Sequence, residues 1–488
     1  MILHNWQQWP NHTALESQCG SLTYAQLNDR VCEVADWLTQ LAAERIALLA
    51  DNSAEWIICD LACQRADKLL VPVPPYFSAS QRQHLLAEAG IEFIITDQPA
   101  LFDDGQVTTS PFTVLRAMVR ENSSTPQIPA GTGKVTFTSG STGNPKGVCL
   151  SNASQAKVAA SIDSALNRLH VRHQCLLPLA TLLENIAGVY APLTCGGTVV
   201  VCGSDELGFS GARLSDPAAM LSAISKAQPE SLILVPELLA MLVSACNNGW
   251  QPPESLAFIA VGGAHVPAAV MVSARRAGLP VYQGYGLSEC VSVNTLNLPG
   301  ADHPDSVGRS LGHNQLTIIN GELVASGTIF LGYLNQPQSF YPTAVNTGDL
   351  VSEQDGYYYV AGRKKNLIIT SLGRNISPEW VESLLLAGGL FSQVLVVGEA
   401  RPHCAALLVP RHNAVSAEMI DHYMRAVNQK LPDYARLQVW HTLPDIAADA
   451  GLFTANGKLK RHQAVTHFQP LIETIYAPDA VSGEELLA

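Results

Sequence analysis

Three short apolar runs at residues 45–50, 69–73 and 93–96 are separated by helical signatures at 54–66 and 78–89. That alternation restricts the chain more than any other feature. Strands apolar along their whole length need cover on both faces, and strands joined through helices run parallel. The spacing therefore predicts an open α/β sheet. The pattern resumes with strands at 135–138, 198–202, 232–235, 258–261 and 280–282, each followed by a loop rich in Gly, Ser or Pro. Ligands of such sheets bind beyond the carboxyl ends of the strands, so chemistry is expected in those loops.

At 488 residues the chain exceeds what one hydrophobic core supports. After about residue 300 the texture changes to shorter strand and turn units, and a new helix is signalled by Ser377 as N-cap with Pro378 in the first position. Hydrophobic residues at 47% and charged residues at 15% describe packed cores rather than disorder. A net charge of -13 leaves no basic field for nucleic acid, which is excluded as a partner. Residues 1–18 carry no basic start with an apolar core, and no long apolar stretch follows. A cytoplasmic protein without an integral membrane segment is expected. Eleven scattered cysteines suit reduced thiols, with Cys59 and Cys63 on one buried helix face.

The strand at 135–137 runs into Thr138-Ser139-Gly140-Ser141-Thr142-Gly143-Asn144-Pro145-Lys146-Gly147. Glycines let backbone N–H groups approach phosphate oxygens, hydroxyls donate further bonds, and Lys146 adds a mobile positive charge. Composition alone would equally describe a surface turn. A Walker A loop is excluded, because Gly147 stands where that motif needs Ser or Thr after the lysine. The string resembles the phosphate loop of the superfamily that comprises acyl- and aryl-CoA synthetases, peptide-synthetase adenylation domains and luciferases, and its motif style is nearest to long-chain fatty acyl-CoA synthetases.

The resemblance spans the chain with its motifs in family order, and it implies roles for further residues. Gly284-Tyr285-Gly286-Leu287-Ser288-Glu289 is similar to the aromatic-Gly-x-Thr-Glu motif: Tyr285 lies against adenine, Ser288 bonds the α-phosphate and Glu289 holds Mg²⁺. Gly262-Gly263-Ala264 lines the adenine and acid sites. Asp349 and Arg363 hold the ribose hydroxyls, Lys365 is the hinge, and Gly373 faces the pantetheine arm of the thiol. Lys458 bridges the acid's carboxylate and the α-phosphate, where negative charge accumulates. Thr181, where the family commonly has His, and Gly284 border the acid pocket. The implied architecture is a large domain, 1–362, of helix-covered, mainly parallel sheets, plus a small mobile α+β domain, 363–488.

The implied reaction is attack of a carboxylate on the α-phosphorus of Mg·ATP, giving acyl-AMP and pyrophosphate, followed by transfer of the acyl group to a thiol. A fatty or other aliphatic acid and coenzyme A are the expected substrates. The alternatives are an acyl-AMP ligase that loads the phosphopantetheine of an acyl carrier protein and a catalytically degenerate nucleotide-binding protein. Retention of Lys146, Glu289, Asp349, Arg363 and Lys458 argues against the last.

Overall fold

The computed structural model describes residues 6–102, 105–120, 124–138, 145–167, 170–211, 213–264, 266, 268–371, 374–412, 414–444, 451–453 and 459–476. The chain divides into two compact units: Met1–Ala264 with Met271–Thr317 and Val324–Val345, and His265–Val270 with Ile318–Leu323 and Asn346–Ala488.

The first unit contains an eight-stranded sheet in the order Gly332–Tyr333, Lys146–Leu150, Lys134–Thr138, Leu69–Pro72, Arg45–Leu49, Phe93–Thr96, Arg116–Arg120, Gly105–Thr108. Its centre is parallel and both flanks are antiparallel. The expected parallel sheet is thus a mixed one, because hairpins supply the flanks. The helices Ala54–Arg65 and Ala79–Glu88 lie between strands where the sequence places them. Ser53, Ser78 and Thr23 cap their helices, the last two through complete capping boxes with Gln81 and Gln26.

A second parallel array in this unit runs from Val281–Leu287 through Phe258–Val261, Ser231–Leu234, Arg172–Cys175 and Thr198–Val201 to Thr13–Ser17. Arg172–Cys175 was not expected as a strand. It lies in the middle of the sheet with His173 and Gln174 buried. Both ring nitrogens of His173 are bonded, to Ser231 Oγ at 2.9 Å and Glu184 Oε1 at 2.9 Å, which offsets the cost of burying the imidazole. The strand expected to end at Tyr282 continues to Leu287 and pairs antiparallel with Ser292–Leu296, so the Gly284–Leu287 motif is extended chain rather than a turn and helix start.

The second unit is α+β. Strands Phe391–Val397, Cys404–Pro410 and Leu437–Thr442 form a sheet, and Pro378–Leu386 and Ala417–Asn428 bury Val381, Leu385, Ile420 and Met424 in one core. Ser377 begins the first of these helices as expected, but its hydroxyl bonds Glu379 Oε2 at 3.2 Å instead of a backbone N–H. All eleven cysteines are free thiols. Among the described residues, no helix is long and apolar enough to cross a membrane.

Candidate active site

Thr138 and Lys146 face one another as paired residues of the antiparallel strands Lys134–Thr138 and Lys146–Leu150. The Ser/Gly segment therefore joins two strands, unlike the strand-to-helix loop of a Walker A site. Ser139, Gly140, Ser141, Thr142 and Gly143 lie outside the described residues. The exit of the loop is held tightly. His84 Nε2 lies 3.3 Å from the Pro145 carbonyl oxygen, and Leu334 N–H donates to Gly147 O at 2.9 Å. A Cβ on Gly147 would stand 2.9 Å from both Leu334 Cβ and Val135 Cγ1. This glycine permits close packing of strands rather than approach to phosphate.

That packing brings Tyr333 to the lysine. The strand Gly332–Tyr333 pairs with the exit strand through Tyr333 opposite Val148, and Lys146 Nζ sits 5.5 Å from the centroid of the Tyr333 ring. This is within cation–π range. The phenol donates to Glu289 Oε1 at 2.8 Å. Burial, then the negative charge of Glu289, pushes Tyr333 above the usual tyrosine range, so it remains a donor at all ordinary pH values. Lys146 and Glu289, nominated separately by the sequence, are thus joined by a tyrosine that no motif pointed to.

Glu289 lies in the 3-10 turn Ser288–Cys290, which is closed by Val291 at φ 59° and Ser292 at φ 95°. A β-branched residue in the left-handed region costs about 1–3 kcal/mol and persists only where packing enforces it. Val291 is fully buried. Upstream, Tyr285 pairs with Thr295 and Gly284 with Leu296, while a Cβ on Gly286 would lie 1.6 Å from Ser292 O. The strand Phe258–Val261 ends at Gly262, Gly263 and Ala264, with Val261 in register with Gln283. An ideal Cβ on Gly262 would be 3.6 Å from Gly284 O and 3.8 Å from Leu183 Cδ2. Gly262 therefore packs against Gly284 and against Leu183, two residues beyond Thr181. The Thr181 hydroxyl faces the Tyr76 phenol, which burial pushes upward and this bond pulls back.

In the second unit, Asp349 and Arg363 are directly opposite in the hairpin of Ala344–Gln354 and Tyr357–Arg363. Arg363 Nε donates to Asp349 Oδ1 at 2.9 Å, with Asp349 buried and the arginine exposed. Glu322, which sequence reasoning missed, braces the same hairpin: its Oε1 accepts from Gly348 N–H at 3.1 Å and its Oε2 from Lys364 Nζ at 3.0 Å. The Lys364 hydrogen bond lowers its carboxyl below the usual range. Lys365 follows Arg363 in the 3-10 turn Lys364–Asn366 and is exposed. Gly373 and Lys458 lie outside the described residues. The chain on either side of the latter is fixed, with Phe453 bridged to Leu459 and Lys460 N–H donating to Leu452 O at 2.7 Å. Arg461 then pairs with Glu382 and donates to Val396 O at 2.7 Å.

The mixed-sheet α/β unit and the smaller α+β unit, matched by the models of an AMP-binding enzyme and its C-terminal domain, belong to an AMP-forming ligase of the acyl-CoA synthetase type. The fold agrees with solved structures of that class. The anthranilate CoA ligase AuaEII, solved with anthranoyl-AMP, superposes with a TM-score of 0.79 at 19% identity over 96% of each chain. The O-succinylbenzoate coenzyme A synthetase of Bacillus subtilis, solved with ATP and magnesium ion, gives 0.75 at 24% identity over 95% of this chain and 98% of that one. The chain belongs to the AMP-binding enzyme family, whose model matches residues 2–334 and whose C-terminal domain model matches 365–480. Similar sequences include a long-chain-fatty-acid–CoA ligase of Mycobacterium bovis, 26% identical over 89% of this chain and 88% of the relative. A 2-succinylbenzoate–CoA ligase of Bacillus subtilis is 28% identical over 95% and 96%, and a feruloyl-CoA synthase of Amycolatopsis is 27% identical over 80% and 84%.

Proposed function

We propose that this enzyme joins a fatty or other aliphatic carboxylic acid to coenzyme A through an acyl-AMP intermediate. In the first step a carboxylate oxygen bonds to the α-phosphorus of ATP, the bond from that phosphorus to the bridging oxygen breaks, and pyrophosphate leaves. In the second, the sulfur of CoA bonds to the acyl carbon, AMP leaves, and the thiol proton passes to solvent. Neither step needs a protein nucleophile, since alignment and charge neutralisation carry the chemistry.

The observation that supports the adenylation step is the line from Lys146 through Tyr333 to Glu289. It presents a cation and an anion, oriented by one phenol, at the exit of the Ser/Gly hairpin. Lys146 with the hairpin's N–H and hydroxyl donors holds the departing pyrophosphate, and Ser288 bonds the α-phosphate. The Glu289 carboxylate, one oxygen already steered by Tyr333, suits a hard divalent cation. Magnesium held there would neutralise phosphate charge. Tyr285 and Gly262–Ala264 receive the adenine, Asp349 and Arg363 the ribose. Lys458 supplies the positive charge for the first step, Gly373 borders the path of the thiol, and Lys365 is the hinge at the boundary of domains 1–362 and 363–488.

A second reading keeps the reaction and changes the acid to an aromatic one, favoured by the relatives named for ferulate and 2-succinylbenzoate. Exchange of labelled pyrophosphate into ATP, across a panel of straight-chain and aryl acids, tests both. Exchange with straight-chain acids supports the first reading, and exchange with aryl acids alone supports the second. No exchange with any acid, in folded protein, would sink the adenylation itself. Thioester formation with free CoA, against acyl transfer to a carrier protein, decides the acceptor.

A further inference from the structure

The segment Glu184–Tyr190 is wound as a π-helix, and Ala191 N–H closes its end on Ile186 O five residues back. Residues five apart on an α-helix point about 140° away from each other, whereas π winding stacks them. The residues stacked in this way are Asn185 and Tyr190, and both meet one buried ion pair. Lys134 Nζ stands 2.8 Å from Asp60 Oδ1 and donates to Asn185 Oδ1 at 2.6 Å and to the Tyr190 hydroxyl at 2.7 Å. Asp60 Oδ2 accepts from Asn185 Nδ2 at 2.8 Å and from Tyr190 at 2.6 Å, and Gln64 Nε2 donates to the same phenol. Lys134 and Asp60 are at most 1% exposed.

A second polar contact holds another face of the segment. Glu184 accepts from Leu177 N–H at 3.1 Å and bonds His173 at 2.9 Å, and Gly188 leaves no space for a side chain beside them, since a Cβ there would lie 2.1 Å from Glu184 Oε1. His173, Cys175 and Glu184 gather three metal-ligand atoms within 4.8 Å, but the hydrogen bonds of His173 and Glu184 are already made within the protein, and no ion is assigned.

The segment reaches the acid side of the site through its first turn. Asn185 N–H donates to Thr181 O at 3.0 Å, and Leu183 lies against Gly262. Leu183 and Ala187, one helical turn apart, are partly exposed while the residues between them are buried.

We propose that Lys134 and Asp60 are positioning residues for acid recognition: their ion pair holds Asn185 and Tyr190 on one face, keeps the π winding, and so fixes where Thr181 and Leu183 meet the acid. Desolvating two charges gains little stability over an apolar pair of similar volume, so the contribution of this pair lies in geometry. Burial pulls Lys134 below the usual lysine range, and Asp60 opposes that shift. Without the pair the segment can rewind as an α-helix, which would displace Thr181 and Leu183, and displacements near 1 Å cost up to about 100-fold in reactions of bound substrates.

The inference rests on the adenylation reading, and its test is made relative to wild-type exchange: absence of exchange in the wild type counts against that reading, not against this one. In Lys134→Met/Asp60→Leu both charges are removed together, so neither is stranded. The expected result is an acid KM at least tenfold higher, weaker selectivity across the acid panel, and an ATP KM within twofold of wild type. Tyr190→Phe, which deletes one hydroxyl and keeps the ring, should raise acid KM about threefold with ATP KM unchanged. It decides the matter if the double variant does not fold. Unchanged acid KM and selectivity in folded double variant, or in Tyr190→Phe where only that folds, would overturn the proposal. Equal rises in acid and ATP KM would overturn it too.

Discussion

The Tyr333 hydroxyl donates to Glu289 Oε1 across 2.8 Å while the same ring lies under the ammonium of Lys146. One side chain thereby orients the two charged groups assigned to the phosphates and the metal. Tyr333→Phe separates its functions, keeping the ring and removing the bond. A hydrogen bond to a charged group contributes about 1.5–3 kcal/mol. The apparent KM for Mg·ATP should therefore rise about tenfold or more in pyrophosphate exchange, with acid KM unchanged. Titration of magnesium at fixed ATP checks whether the loss is in metal affinity.

Gly147→Ala should destabilise the first unit. The added methyl collides with Leu334 and Val135, and overpacking of this kind costs about 1–3 kcal/mol. Urea unfolding measures it. The loss should be smaller in a Val135→Ala background, because that change removes Val135 Cγ1, whereas Leu334→Ala would keep the Cβ that also collides.

Lys458→Ala should lower acid-dependent exchange by about 10²-fold or more while ATP still binds. Thioester formation from supplied acyl-AMP should survive, since in the proposed mechanism the charge acts in the first step. Rapid-quench measurement of each step separates the two.

Stability should fall on mild acidification through His313. Burial, reinforced by Lys157, pulls this imidazole down to about 4, so the fold holds it neutral. A group depressed in the folded state contributes stability that is complete above its unfolded value near 6.5 and is lost as pH drops toward 4. Within that window a single proton changes the folding equilibrium constant by at most about tenfold per pH unit. His313→Gln should flatten the corresponding part of a denaturation series.

Much of the architecture was legible because strands such as Phe93–Thr96 are apolar throughout, and because Ser377 followed by Pro378 announces a helix start chemically. Arg172–Cys175 was not, since its buried His173 and Gln174 are polar and their partners come from distant residues. Lys134 was left outside the strand at 135–138 for the same reason: nothing local tells that a lysine meets Asp60. Asp349 and Arg363, named together from the resemblance, stand opposite each other in one hairpin. Tyr333 escaped notice because its importance lies in whom it touches. The π winding of Glu184–Tyr190 is equally silent in sequence, where apolar spacing reports only 3.6-residue and two-residue periods.

The pairing of Thr138 with Lys146 bears on how this Ser/Gly loop tolerates length change. Side chains alternate faces along a strand, so deleting one residue after Lys146 would turn every following side chain over and set Cys149 in the place of Val148 and Ser151 in the place of Leu150. An insertion between the two paired residues leaves that ladder untouched. Loop swaps between related ligases should therefore be cut at Thr138 and Lys146, with everything from Gly147 onward kept from the recipient.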